Sequence, residues 1–122
     1  MAENTADSTI LSFVDQNKYD ADLVMRKIDG LPRFAERFAA VVDDAATQGL
    51  WPKELANWKL ALLALVGNEI GGIASPMIRA DASEILFGTA EREGFSRATV
   101  TMAAGQVSKL RDKLTDLTLI CG

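Results

Sequence analysis

Residues 60–78 read LALLALVGNEIGGIASPMI, and the interpretation of this stretch decides the fold. An unbroken apolar run, residues 60–66, leads to Asn68 and Glu69, and a pair of glycines and a Ser-Pro follow. The stretch is open to three interpretations: a membrane span, a phosphate-binding glycine loop, or a buried helix that ends in a tight turn.

Two of these interpretations conflict with the residues present. A membrane span needs about 20 mostly apolar residues, whereas this run is much shorter. A charged side chain such as Glu69 near the centre of a membrane span costs at least ~2.5 kcal/mol on insertion scales. The spacing of Gly67 and Gly72 matches a Walker loop, but Ile73 and Ala74 stand where that loop needs Lys and Ser or Thr. We therefore expect neither a span nor a nucleotide loop.

The third interpretation, a buried helix, fits the glycines. Gly67 and Gly71 are four residues apart, so both lie on one helix face, where another backbone can approach closely. The helix is predicted to run from about Pro52 to about Ile70 and to be apolar on all sides, which is typical of a central helix covered by several neighbours.

The rest of the chain shows helical periodicity, with Gly and Pro between the segments. Asp20 or Asp22 is predicted to open a helix, Gly30 to end it in the left-handed conformation, and Pro32 to start the next. Gly49 and Gly94 are expected to end helices, and Ser96 to cap the last one. Helix four is expected to begin at Ser75-Pro76 or at Asp81, and its apolar surface is assigned to Ile85, Leu86, Phe87 and Ala90.

The last helix has the most regular pattern. Its apolar residues recur in three- and four-residue steps, which predicts one continuous helix with an apolar seam. These residues are Val100, Ala103, Val107, Leu110, Leu114 and Leu117. Alternation of period two is not found, so no sheet is predicted. The predicted fold is all-α: a compact bundle of four to five helices with short Gly/Pro turns, comprising residues 8–122 as a single domain behind a flexible tail at residues 1–7.

Composition argues against an enzyme. The 122 residues include no histidine, which removes His-based catalysis and His metal ligands, and the single cysteine, Cys121, cannot form an internal disulfide. Adjacent acids such as Asp43 and Asp44 point about 100° apart on a helix and do not converge on one ion. We expect no catalytic residues, no cofactor and no metal. The acidic amino terminus does not look like a secretory signal, and a cytoplasmic location is expected.

Two basic groups raise the possibility of nucleic-acid binding. They comprise Arg26, Lys27, Arg33 and Arg37, and then Lys109, Arg111 and Lys113. Such groups could contact phosphates, but acidic residues interleave with them and the net charge is −4, which favours salt-bridged helix faces in contact with water.

We therefore expect a non-enzymatic interaction protein that self-associates or serves as a small subunit of a larger assembly. A homo-oligomer or a protein partner is expected, and no membrane span. Four residues are possible partner contacts, either as aromatic anchors or as sites of close packing: Trp51, Trp58, Gly67 and Gly71. Nucleic-acid binding through the basic groups is the alternative. The sequence does not identify the partner, its stoichiometry or its pathway, and it does not decide whether the tryptophans lie in the core.

Overall fold

The computed structural model describes residues 20–72 and 75–112, and this part of the chain is helical and contains no strand. The all-α bundle predicted from the periodicity is therefore confirmed. The elements are α1 (Ala21–Asp29), α2 (Pro32–Thr47), a 3₁₀ turn (Lys53–Leu55), α3 (Trp58–Gly71), α4 (Pro76–Arg92), α5 (Arg97–Gly105) and α6, of which residues 107–112 are described. The predicted tail at residues 1–7 lies outside the described residues.

The centre of the fold is α3. All seven residues of its apolar run, 60–66, are at most 2% exposed, so no face of that run is in contact with water. The helix packs against α1, α2, α4 and α5, most extensively against α5. Burying apolar side chains on every side of one helix removes a large apolar area from water and is the main force that stabilises this arrangement. The prediction of a central helix is confirmed.

Side-chain caps and prolines begin the helices. Asp20 caps α1 by accepting a 3.0 Å hydrogen bond from the Leu23 amide, and Ser96 caps α5 by accepting one of 3.1 Å from Thr99, both as predicted. Pro32 and Pro76 occupy first-turn positions of α2 and α4, where a missing amide costs nothing. The alternative start of α4 at Asp81 is wrong, because that residue lies inside the helix.

The predicted start of the central helix at Pro52 is also wrong. Pro52 is extended and leads only into the 3₁₀ turn, and Asn57 is extended again, with φ −147° and ψ 125°. The Asn57 side chain then accepts hydrogen bonds from the amides of Lys59 and Leu60, at 2.9 and 3.4 Å. Asn57 is therefore the cap that starts α3.

Two of the predicted helix-ending glycines adopt the left-handed conformation. Gly49 and Gly94 have φ values of +77° and +90°. In both turns the amide after the glycine reaches back five residues, with Leu50 bonding to the Ala45 carbonyl at 2.8 Å and Phe95 to that of Ala90 at 2.9 Å. This is the Schellman arrangement, and it satisfies carbonyls that the helix end would leave unpaired. Gly30 and Gly72, at φ −76° and −91°, end their helices without a left-handed residue, so that prediction is wrong for Gly30.

The predicted last helix is interrupted. It ends at Gly105, the Gln106 amide bonds to the Ala103 carbonyl at 2.9 Å, and helical structure resumes at residue 107. The described seam residues, Val100, Ala103, Val107 and Leu110, are nevertheless at most 1% exposed. Leu114 and Leu117 lie outside the described residues. The seam is therefore buried as predicted as far as Leu110, on two helices instead of one.

Candidate interaction surface

The first six residues of α4 are not packed against the core. All of them, from Pro76 to Asp81, are exposed, whereas the buried residues of this helix begin at its seventh position and comprise Ala82, Leu86, Thr89 and Ala90. Proline is favourable in the first turn of a helix, so α4 can begin at Pro76, before its first buried residue. The start of α4 is therefore a helical end that extends beyond the packed bundle.

Large exposed apolar side chains lie on this end of α4 and two turns further along the helix. Met77 is 76% exposed, Ile78 is 45% exposed and Ile85 is 40% exposed, and we call these three residues the α4 face. Ile78 and Ile85 are seven residues apart, so they lie on the same side of the helix. Single exposed apolar residues are ordinary on protein surfaces, but several on one helix mark a candidate contact surface. The sequence analysis assigned Ile85 to the apolar surface of this helix but did not predict its exposure.

The tryptophans that were predicted as possible partner contacts differ in exposure. Trp51 is 1% exposed, and its Nε1 donates a 2.9 Å hydrogen bond to the Leu55 carbonyl oxygen, so it is a core residue of the described fold. Trp58 is partly buried, and its ring lies 6.4 Å from that of Phe38, tilted by 50°. The Trp58 ring therefore keeps some surface that a partner could contact.

The two predicted glycines also differ. A Cβ at Gly67 would lie 3.2 Å from Leu86 Cδ2 and 3.4 Å from Ala104 Cβ, so Gly67 allows close packing inside the bundle. A Cβ at Gly71 would have no atom within 4 Å. The close approach that the glycine spacing predicted therefore occurs at Gly67, between helices of this chain.

The basic groups are partly neutralised by acidic side chains. Arg26 lies 3.6 Å from Asp22 on the same helix, and Arg111 lies 2.8 Å from Glu69 across the contact between α6 and α3. Lys27 and Arg37 also interact with other groups of the chain, while Arg33 and Lys109 are exposed. Lys113 lies outside the described residues. Ion pairing of these faces was predicted, and Asp22 and Glu69 are two of the acids that take part in it.

Further ion pairs connect the helices at the surface. Arg92 of α4 bonds to Asp22 of α1 at 2.7 Å, and Lys59 of α3 bonds to Glu93 at 3.0 Å. The hydrogen bond that Lys59 donates to the Glu93 carboxylate stabilises the charged ammonium and raises the pKa of Lys59 above its ordinary value of 10.5, although partial burial acts in the opposite direction. Both pairs lie at the carboxyl-terminal end of α4 and link it to α1 and α3.

The start of α5 and the second half of α4 form a small cleft that the sequence analysis missed. Its volume is about 200 Å³. It is lined by Glu84, Phe87, Gly88, Glu91, Phe95, Ser96 and Arg97. The Arg97 guanidinium lies 4.2 Å from the centre of the Phe87 ring and 3.9 Å from Glu84. Phe87 precedes the turn at Gly94 and Phe95 follows it, and this pair of aromatic residues is the sequence feature that could have indicated the cleft.

Within residues 20–72 and 75–112, no three or more Cys, Asp or Glu side chains lie together as metal ligands. Nor is any helix of the described chain long and apolar enough to cross a membrane, and the apolar run of the opening stretch belongs to a helix of 14 residues. Comparison with known protein families, curated proteins and solved structures gave no match.

Proposed function

We propose that this chain is a non-enzymatic interaction protein that associates through the α4 face, either with a second copy or as a small subunit of a larger assembly. The single observation that carries the proposal is the exposure of Met77 and Ile78 on the unpacked first turns of α4, together with that of Ile85 two turns further along the same helix. Burying these side chains in a contact would release ordered water at little cost, because the helix that presents them is already formed.

Two features of the fold support this role. The first six residues of α4 contribute no buried side chain, since the buried residues of that helix begin at Ala82. The extension therefore adds apolar surface that the described fold does not use. A helix presenting apolar residues at such spacing is a common mode of recognition, in which the side chains enter a groove of the partner.

The experiment is sedimentation equilibrium of the full chain over a range of concentrations, together with capture from the native host. A paired variant, Met77→Gln with Ile78→Gln, removes the apolar surface at two exposed positions. Leu31→Gln is the matched control, because Leu31 is a comparably exposed apolar residue, at 39%, in the turn between α1 and α2. We expect association to be lost in the paired variant and kept in the control.

The result separates the two forms of the proposal. A mass above 13.2 kDa that the paired variant abolishes supports self-association. The subunit form is supported if the wild-type chain is a monomer that captures a native partner, and if the paired variant no longer captures that partner whereas Leu31→Gln still does. A strict monomer that captures nothing contradicts both.

Nucleic-acid binding stays a prediction, and no observation of the described residues favours it over association. Retention on DNA or RNA that weakens steeply with salt would support it. The variant to compare with wild type would have the charge reversed at both Arg33 and Lys109, which are exposed and lie in different basic groups.

A further inference from the structure

The cleft between α4 and α5 combines two chemical features that favour the same kind of ligand. Phe87 and Phe95 supply aromatic surface, and Glu84 and Glu91 supply negative charge. Aromatic faces attract cations through the ring quadrupole, and carboxylates attract them by charge. With Arg97 counted, the side chains lining the cleft carry a net charge of −1.

The size of the cleft limits what it could hold. Its volume of about 200 Å³ is below the roughly 300 Å³ at which pockets begin to hold drug-sized ligands. It has room for one planar cationic group and a short alkyl stem. Gly88 contributes to this space, because a Cβ there would meet no atom within 4 Å.

Arg97 shows how a guanidinium fits the aromatic wall. Its guanidinium carbon lies 4.2 Å from the centre of the Phe87 ring, well inside the distance of about 6 Å at which such contacts are attractive. The contact with Glu84 is long, at 3.9 Å, and both side chains are largely exposed, at 63% and 78%. Arg97 is therefore held loosely, at the edge of the cleft rather than deep inside it.

The helix ends around the cleft do not oppose a cation overall. The start of α5 carries partial positive charge and the end of α4 carries partial negative charge, so the two effects largely offset each other. The preference of the cleft for a cation therefore depends on its side-chain charges and its aromatic rings.

We propose that this cleft is a binding site for an alkylguanidinium group, either a free small cation or an arginine side chain of a peptide, and that Arg97 competes for it. The proposal goes beyond association through the α4 face and does not depend on it, because Ile85 and the other residues of that face do not line the cleft.

The test is a titration of the ¹⁵N-labelled full chain, followed by amide NMR, with three probes. Butylguanidinium is the free alkylguanidinium, a tripeptide Gly-Arg-Gly blocked at both ends is the peptide form, and butylurea is the neutral isostere of butylguanidinium. We expect saturable shifts at the amides of Gly88, Phe95 and Ser96 with the two cations and none with butylurea. The tighter of the two cationic probes identifies the source of the ligand.

Three variants sharpen the test. Arg97→Gln removes the competing cation, so butylguanidinium should bind severalfold more tightly to this variant than to wild type. Glu91→Gln removes an exposed carboxylate of the cleft and should weaken binding severalfold, while Glu36→Gln, the same change on the exposed surface of α2, should leave it unchanged. Absence of saturable shifts, an equal response to butylurea, or weaker binding to the Arg97→Gln protein would each overturn the proposal.

Discussion

Gly67 of α3 lies so close to Ala104 of α5 that a Cβ at the glycine would stand 3.4 Å from the Ala104 Cβ. The same Cβ would stand 3.2 Å from Cδ2 of Leu86 in α4, which is tighter than most Cβ contacts. Three helices therefore meet around Gly67, and an added side chain would force the Leu86 side chain to shift.

Substitution of Gly67 tests this contact. Gly67→Leu should destabilise the protein by about 2 kcal/mol, because the added side chain must displace Leu86 or separate the helices. Gly88→Ala is the control within a helix, since a Cβ there meets open space, and it should stabilise by about 0.5–1 kcal/mol through helix propensity. Urea denaturation of both variants measures the difference. Equal effects at the two positions would contradict the close packing at Gly67.

The two tryptophans should report different environments in fluorescence. Trp58→Phe leaves Trp51 as the only emitter, and because that ring is 1% exposed its emission should be blue-shifted and protected from acrylamide. Trp51→Phe leaves the partly exposed Trp58, whose emission should lie further to the red. Trp51→Phe should also lower the free energy of unfolding by about 1 kcal/mol or more, since the Leu55 carbonyl oxygen loses its hydrogen-bond donor. Similar quenching of both variants would argue against a buried Trp51.

Asn57 should contribute to stability as a cap, whereas Ser75 should not. Asn57→Ala removes two hydrogen bonds to backbone amides and should cost about 1 kcal/mol. Ser75 occupies the same position at the start of α4 but makes no side-chain cap hydrogen bond, so Ser75→Ala should cost at most a few tenths of a kcal/mol. The comparison uses the same denaturation measurement, and a larger loss for Ser75→Ala would refute it.

The contact between Lys59 and Glu93 should make a pH-dependent contribution to the free energy of unfolding. Because the folded-state pKa of Lys59 lies above 10.5, the contribution is fully present below 10.5 and is lost as the pH rises through the folded value. Both side chains are about a third exposed, so it should amount to less than ~1 kcal/mol. The stability difference between wild type and Lys59→Met should therefore disappear at high pH. Lys53→Met, at an exposed lysine, should show no such trend, and a difference for Lys59→Met that persists above the folded pKa would contradict the assignment.

Sequence periodicity predicted the parts of the fold that depend on local chemistry. Residues 60–66 are apolar on every side, and only a central position buries all of them. The caps Asp20 and Ser96 and the left-handed glycines Gly49 and Gly94 follow from the hydrogen-bonding needs of helix ends.

Other features of the structure are not determined by the spacing of apolar residues. Val100, Ala103 and Val107 keep the same spacing whether or not Gln106 interrupts the helix, so periodicity could not detect the break. Exposure of Ile78 and Ile85 depends on which elements pack against α4, and spacing along one helix contains no such information. The cleft likewise arises from the meeting of α4 and α5, although Phe87 and Phe95 both belong to apolar positions that the sequence displays.

The central claim is that α3 is the buried centre of the bundle and that the start of α4 extends beyond it as a docking surface. Amide hydrogen exchange at several protein concentrations tests both halves directly. We expect the amides of residues 62–66 to exchange only through global unfolding, and those of residues 79–81 to exchange quickly in the free protein and slowly once a second copy or a captured partner is bound. Fast exchange in residues 62–66, or strong protection of residues 79–81 in a demonstrated free monomer, would contradict the account.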